Sequence, residues 1–227
     1  MQEARFLGVW VDEGFRWAGQ IERVRRKVGQ LLGVIGRGSS SLSGGALLSL
    51  YNALVLPHLQ YCLMVWGDFK EGRNLTVGGA LLRYQKRFAG LAAGKRGTYH
   101  ADPFLAEHGM LKVGDLYRQQ LRVHAWRFWN GRLPENQAAM LRRVEGVHGH
   151  NTRAAGSGLF LSTRDHRSVG YRVPKEWGTV PEGLRGAPSL GAFKRGSKGG
   201  FLSQYAGFVC RESNCRVCAW QADQQRG

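Results

Sequence analysis

From Trp17 onward, the apolar residues Ile21, Val24, Val28, Leu31, Leu32 and Ile35 recur at steps of three and four. That period puts them on one face of an amphipathic helix over about 17–35. Ahead of it, Phe6, Leu7, Val9, Trp10 and Val11 make residues 5–12 a short β segment, which Gly14 ends. Gly36 and Gly38 stop the helix, and the serines within 39–43 supply N-caps for the next. The second helix is predicted over about 44–66, with Pro57 breaking or kinking it. A third, over about 74–92, sets Leu75, Leu81, Leu82, Tyr84, Phe88 and Leu91 beside Arg83, Lys86 and Arg87. A short fourth is predicted over about 102–108, with Pro103 in its first turn. The fifth, over about 113–130, combines Val113, Leu116, Leu121, Trp126 and Phe128 with Arg118, Arg122, His124 and Arg127. A sixth follows Pro134 to about Val144.

Beyond Glu145 the pattern loses its period. Residues 146–200 hold 12 Gly in 55 positions with scattered Arg. Only about 188–206 carries a helical apolar set (Leu190, Phe193, Phe201, Leu202, Tyr205), and Gly191, Gly196, Gly199 and Gly200 weaken it. The expected fold is mainly α: a helical bundle preceded by a short β segment and followed by a Gly-rich, largely irregular basic region. The expected divisions are 1–14, 15–145 and 146–227.

Charge sharpens this picture. The 227 residues carry 33 Lys+Arg against 16 Asp+Glu, a formal net charge of +17. Such an excess points to acidic partners, nucleic-acid phosphates first. Of the basic residues 25 are Arg, whose planar fork grips phosphate bidentately. The first helix bears Arg16, Arg23, Arg25, Arg26 and Lys27 opposite its apolar face, with Glu22 the lone acid among them. Along the fifth helix Arg118, Arg122 and Arg127 alternate with Trp126 and Trp129, a pattern suited to following a phosphate backbone while aromatics stack on bases or sugars. Asn52, Pro57, His58 and Gln60 interrupt the uncharged 38–67 stretch, so no membrane span is expected. Neither the N-terminal residues nor the four cysteines suggest secretion, and an intracellular setting, nucleus or cytoplasm, is expected.

Catalytic constellations are not found. Asp12, Asp68, Asp102, Asp115 and Asp165 are widely spaced, and no Asp-Asp, Asp-x-Asp, His-Glu-x-x-His or Gly-x-Ser-x-Gly pattern occurs. The Gly36-to-Gly45 loop follows a helix and lacks the Lys of a phosphate loop, so it reads as a helix–helix turn. Cys210, Cys215 and Cys218 have soft-ligand spacing and could hold zinc, with His148, His150 or His166 as a fourth ligand from elsewhere in the chain.

In their order these motifs resemble the C-terminal portion of a non-LTR (LINE-type) retrotransposon reverse transcriptase, most like the Jockey-type group. Phe6-Leu-Gly-Val9, with Asp12, Trp17 and Ile21, is similar to the family's primer-grip strand leading into its thumb; Gln20 stands where the family often has His. Leu50-Tyr51-Asn-Ala-Leu-Val-Leu-Pro57 and Tyr61-Cys-Leu-Met-Val-Trp66-Gly67 resemble the most specific thumb block. Tyr84-Gln85-Lys86-Arg87 resembles the helix that comes next, and His100 to Phe104, Leu111-Lys112, Asp115 to Tyr117, Leu133-Pro134, His150 to Arg153, Trp177 and Phe193-Lys194 keep the family's order. The resemblance implies a thumb-like helical domain over 15–145. It also implies a nucleic-acid partner, an RNA/DNA template–primer duplex. Leu7 and Gly8 would act as the primer grip, and Arg23, Arg25, Arg26 and Lys27 would track the backbone. Lys86, Arg87, Arg118, Arg122 and Arg127 complete the expected nucleic-acid-binding set. The family's palm aspartates lie upstream of the matched region, so no polymerase activity is expected of this chain alone, and a palm domain is a further expected partner. The alternative expectations are a helical protein-interaction module docking through Trp10, Trp17, Tyr51 and Trp66, and a decayed retroelement-derived protein without activity.

Overall fold

A computed structural model describes residues 3–67, 77–95, 100–144, 158–162 and 165–210. It divides into two compact units, one of 1–114 with 202–227 and one of 115–201. The compositional boundary near 145 falls inside the second unit.

The first unit opens with a hairpin. Strands β1 (Glu3–Phe6) and β2 (Val9–Asp12) pair antiparallel with Phe6 opposite Val9. The expected single β segment is thus two strands folded about Leu7 and Gly8. Both turn residues have positive φ (46° and 82°), the mirror-image turn whose twist suits a two-residue hairpin. Asp12 organises the passage from hairpin to helix. Its carboxylate, 4% exposed, accepts from the amides of Gly14, Arg16 and Trp17 at 3.1, 2.9 and 2.6 Å. Those bonds, Arg16's foremost, hold its carboxyl below the ordinary Asp range against the opposing effect of burial. They also fix the tight bend that delivers Trp17, at φ 62°, to the start of α1 (Ala18–Gly38).

Helix α1 buries Gln20, Val24, Val28, Leu32 and Ile35, close to the stripe its periodicity predicts. Next come α2 (Gly44–Leu50), a π-helical turn over Tyr51–Val55, α3 (Leu56–Gln60) and α4 (Leu63–Trp66). Ser43 caps α2 by accepting from the Ala46 amide at 3.2 Å. Pro57 does not break the run. A proline cannot donate to the carbonyl four residues back and crowds it. The widened turn just before it, in which the Leu56 amide reaches the Tyr51 carbonyl, relieves that crowding. The break falls instead at Tyr61–Cys62, where Cys62 adopts φ 49°.

Helix α5 (Val77–Ala92) packs on α1, and α6 (Ala101–Glu107) comes after it. Leu47, Val55, Leu59, Leu63, Trp66 and Leu81 are all at most 2% exposed. Each such side chain contributes about 1.5–3 kcal/mol on removal from water. A buried polar hub sits among them. Gln85 is 1% exposed and donates through Nε2 to the Tyr51 hydroxyl and the Leu111 carbonyl, both at 3.0 Å. Its Oε1 accepts from the Val113 amide at 2.7 Å, satisfying an N-terminal donor of α7 (Val113–Trp129). Tyr51 stacks on Phe88 at 4.4 Å, and burial pushes its phenol up to about 12.

In the second unit α7 is succeeded by α8 (Glu135–Ala138), a single turn. The helix expected to run on to Val144 ends there. The chain then turns extended, with Arg143 bridged antiparallel to Leu159, the Val144 amide donating to the Gly158 carbonyl and the Phe160 amide to that of Arg142. This pairing buries Leu141, Val144 and Leu159. Two helices, α9 (Val169–Gly178) and α10 (Glu182–Arg185), stand among the described residues of the stretch expected to be irregular, and the helix expected over about 188–206 is α11 (Leu190–Ala206). Val173, Pro174 and Trp177 anchor α9, and Phe193, Ser197 and Phe201 line the buried edge of α11. Tertiary burial of these few large residues outweighs the roughly 1 kcal/mol per glycine that weakens the helix in isolation. The mainly α class with a short β segment ahead of it stands. No helix among the described residues is long and apolar enough to cross a membrane.

Candidate nucleic-acid interface

Arg23, Arg25, Arg26 and Lys27 of α1 separate into three groups. Arg23 is held: Nη2 donates to Glu3 Oε2 at 2.8 Å, and its guanidinium lies 4.1 Å from the Trp10 ring centre. It braces the hairpin against the helix. Trp10 is fixed in turn through its amide, which donates to Gln20 Oε1 at 3.1 Å, giving the buried glutamine a structural task. Arg26 and Lys27 are exposed, and neither forms an ion pair among the described residues. Lys27 also bears on His58, whose pKa is lowered by partial burial first and by the Lys27 charge second.

Arg25 belongs to a cluster. It donates to both oxygens of Glu22 at 2.7 and 2.6 Å. With Ala80, Arg83, Tyr84 and Arg87 of α5, it also lines a pocket of about 250 Å³. Arg83, Lys86 and Arg87 are exposed, and no carboxylate among the described residues pairs with them. Gly29 lets the two helices meet closely here, since a Cβ at that position would stand 3.0 Å from the Tyr84 hydroxyl. Sequence pattern puts Arg83 and Tyr84 on the helix but leaves them outside the expected binding set. The four-residue step from Arg83 to Arg87, which puts both on one face, is the signal that identifies them.

In the second unit the helix read as a basic face turns part of its charge inward. Arg122 is 7% exposed; its Nε donates to Glu176 Oε1 at 2.7 Å, Nη2 to Thr179 Oγ1 at 3.0 Å and Nη1 to Ser197 Oγ at 3.4 Å. Arg118 pairs with the same carboxylate at 3.1 Å and with Asp115 at 3.6 Å. The Phe201 ring lies beneath both guanidiniums, at 5.2 Å for Arg118 and 4.3 Å for Arg122. These two arginines hold α7, α9 and α11 together rather than facing a phosphate backbone. Trp126 is buried against Phe193, so it too is core. Arg127 is the member of that set left exposed. Beside it, His124 has its pKa lowered by burial and secondarily by the Arg127 charge.

Leu7 and Gly8 form the exposed hairpin tip, with Leu7 76% exposed. The Tyr61 hydroxyl donates to the Leu7 carbonyl at 2.5 Å, tying the tip to the turn after α3. Tyr51 and Trp66 are 1% and 0% exposed, and Trp10 and Trp17 are half-buried, so these four aromatics do not make an open docking face. Cys210 is a half-buried free thiol, whereas Cys215, Cys218, His148 and His150 lie outside the described residues. Among the described residues no group of three metal-ligating side chains assembles. No protein-family model matches this chain, and neither does any curated protein or solved structure to which it was compared.

Proposed function

We propose that this chain grips a nucleic-acid duplex, as the thumb-like and C-terminal part of a LINE-type reverse transcriptase would grip its template–primer. In this reading it holds the duplex and leaves polymerisation to a palm domain. The observation that supports it best is the cationic surface of α1 and α5: Arg26, Lys27, Arg83, Lys86 and Arg87 are exposed on two contacting helices of one unit, with no ion pair to a carboxylate among the described residues. A solvated surface helix ordinarily interleaves both signs; five cations with Glu22 as the lone acid among those of α1 set up a field that attracts a polyanion. The hairpin tip at Leu7 and Gly8, anchored by Tyr61, supplies an apolar contact for a primer end.

Fluorescence anisotropy of a labelled RNA/DNA duplex at several salt concentrations tests this reading. Five phosphate contacts give a slope of log K on log salt of about −4.5. Lys27→Gln and Lys86→Gln should each reduce that slope by about 1. A flat salt response, or no binding at low salt, refutes the proposal.

A further inference from the structure

We propose that Arg25, Arg83, Arg87 and the Tyr84 hydroxyl form a seat for a single phosphate group between α1 and α5; that the phosphate is part of a nucleic acid rests on the function proposed above. Residues 80, 83, 84 and 87 follow the steps that align side chains on one helical face, and this face of α5 meets Arg25 on α1. Leu81, Gln85, Phe88 and Ala89 occupy the buried face of the same helix. The cationic side is therefore not a by-product of core packing. Three arginines line one pocket, and Glu22, engaged bidentately with Arg25, offsets the charge of only one of them. An anion in the pocket would meet the other two, and guanidinium forks match phosphate oxygens in geometry.

Size admits the ligand. The pocket, at about 250 Å³, lies below the roughly 300–1,000 Å³ of sites that enclose drug-sized ligands. It would hold several waters, each occupying about 30 Å³ in the liquid. That leaves room for one phosphate group with part of its hydration. Tyr84 supplies a hydroxyl donor at the wall, and Gly29 leaves room for it: a Cβ at Gly29 would intrude to 3.0 Å. The phosphate could come from a backbone diester or from a terminal monoester, and binding experiments separate the two.

The first measurement is NMR of the Arg Nε–H groups of the full chain, titrated with inorganic phosphate. The resonances of Arg25, Arg83 and Arg87 should move together along one saturation curve while that of Arg127 does not. Arg83→Gln/Arg87→Gln should abolish the Arg25 shift. Glu22→Gln, which frees the Arg25 fork, should tighten phosphate about threefold, as charge-assisted bonds are among the stronger ones; Glu107→Gln on α6 should not. No shift, or an equal shift at Arg127, overturns the seat.

The second measurement compares duplexes with 5′-phosphate and 5′-hydroxyl ends. A terminal seat gives about tenfold preference for the phosphorylated end, lost in the double variant. A backbone seat gives equal affinities, both weakened about tenfold by the double variant with the salt slope reduced by about 2. A double variant that binds both duplexes like wild type, while Lys27→Gln weakens them, overturns the seat and leaves the proposed function standing. Phosphate shifts at the three arginines without duplex binding at low salt support the seat and overturn that function. An acidic peptide that matches phosphate in moving the three resonances overturns the phosphate assignment.

Discussion

Replacing Gln85 by leucine removes one side-chain amide and strands groups on three different segments. The side chain is 1% exposed, so water cannot take its place. The Leu111 carbonyl loses a donor at 3.0 Å, the Val113 amide loses an acceptor at 2.7 Å, and the Tyr51 hydroxyl loses its 3.0 Å donor. A buried group left unsatisfied costs about 1–3 kcal/mol. The hydroxyl can rotate, so the two backbone groups dominate. Leucine returns part of the loss through apolar burial, leaving a net destabilisation of about 3–4 kcal/mol. Against a typical total of about 5–15 kcal/mol, that is a large fraction. Urea denaturation followed by tryptophan fluorescence should show a midpoint lowered by about 1.5–2 M at unchanged slope, for a slope near 2 kcal/mol per M. Tyr51→Phe removes one bond while Gln85 keeps its backbone partners, and should cost only about 1 kcal/mol. A Gln85→Leu loss below about 1 kcal/mol would refute the view that this residue is a structural hub.

Three further expectations concern Tyr51, the buried arginine and the cysteines. Burial raises the Tyr51 phenol to about 12 from an ordinary 10, so its contribution is complete below pH 10 and is lost as pH rises toward 12. Wild type minus Tyr51→Phe stability should therefore fall by about 2–3 kcal/mol across that window, and a pH-independent difference would contradict the assignment. Glu176→Gln leaves the buried Arg122 without its countercharge and should destabilise by about 3 kcal/mol, measured by thermal unfolding, while Arg118→Gln at the half-exposed partner costs about 1 kcal/mol. Neither change should alter duplex affinity, because Arg122 faces inward; a tenfold loss with Arg118→Gln would return that helix to the interface. Protein purified without chelator should carry about one zinc per chain if Cys210, Cys215 and Cys218 bind it. Less than a tenth by elemental analysis ends that idea.

Several features of this fold were legible in the sequence alone. The α1 stripe of Val24, Val28, Leu32 and Ile35 is written in its spacing, because a helix that must bury one face repeats at three and four residues. The β segment, the mainly α class and most of the helices through Trp129 have the same local origin. The basic excess is likewise a property of composition. What local pattern does not encode is which partner each side chain meets. Pro57 marks a breaking point by its chemistry, yet the π turn at Tyr51–Val55 absorbs it because neighbouring residues are already buried. Helix α9 and much of α11 are poor helices by propensity, and Trp177, Phe193 and Phe201 stabilise them only once packed. Charges show the division most clearly. Arg25, Arg83 and Arg87 converge across two helices far apart in sequence, while Arg118 and Arg122 turn inward to Glu176, more than fifty residues away. Sequence determines that these arginines are present and which face of a helix each occupies. Tertiary packing alone decides whether that face meets solvent or a buried carboxylate, since the desolvation of a charge depends on what the rest of the chain places beside it.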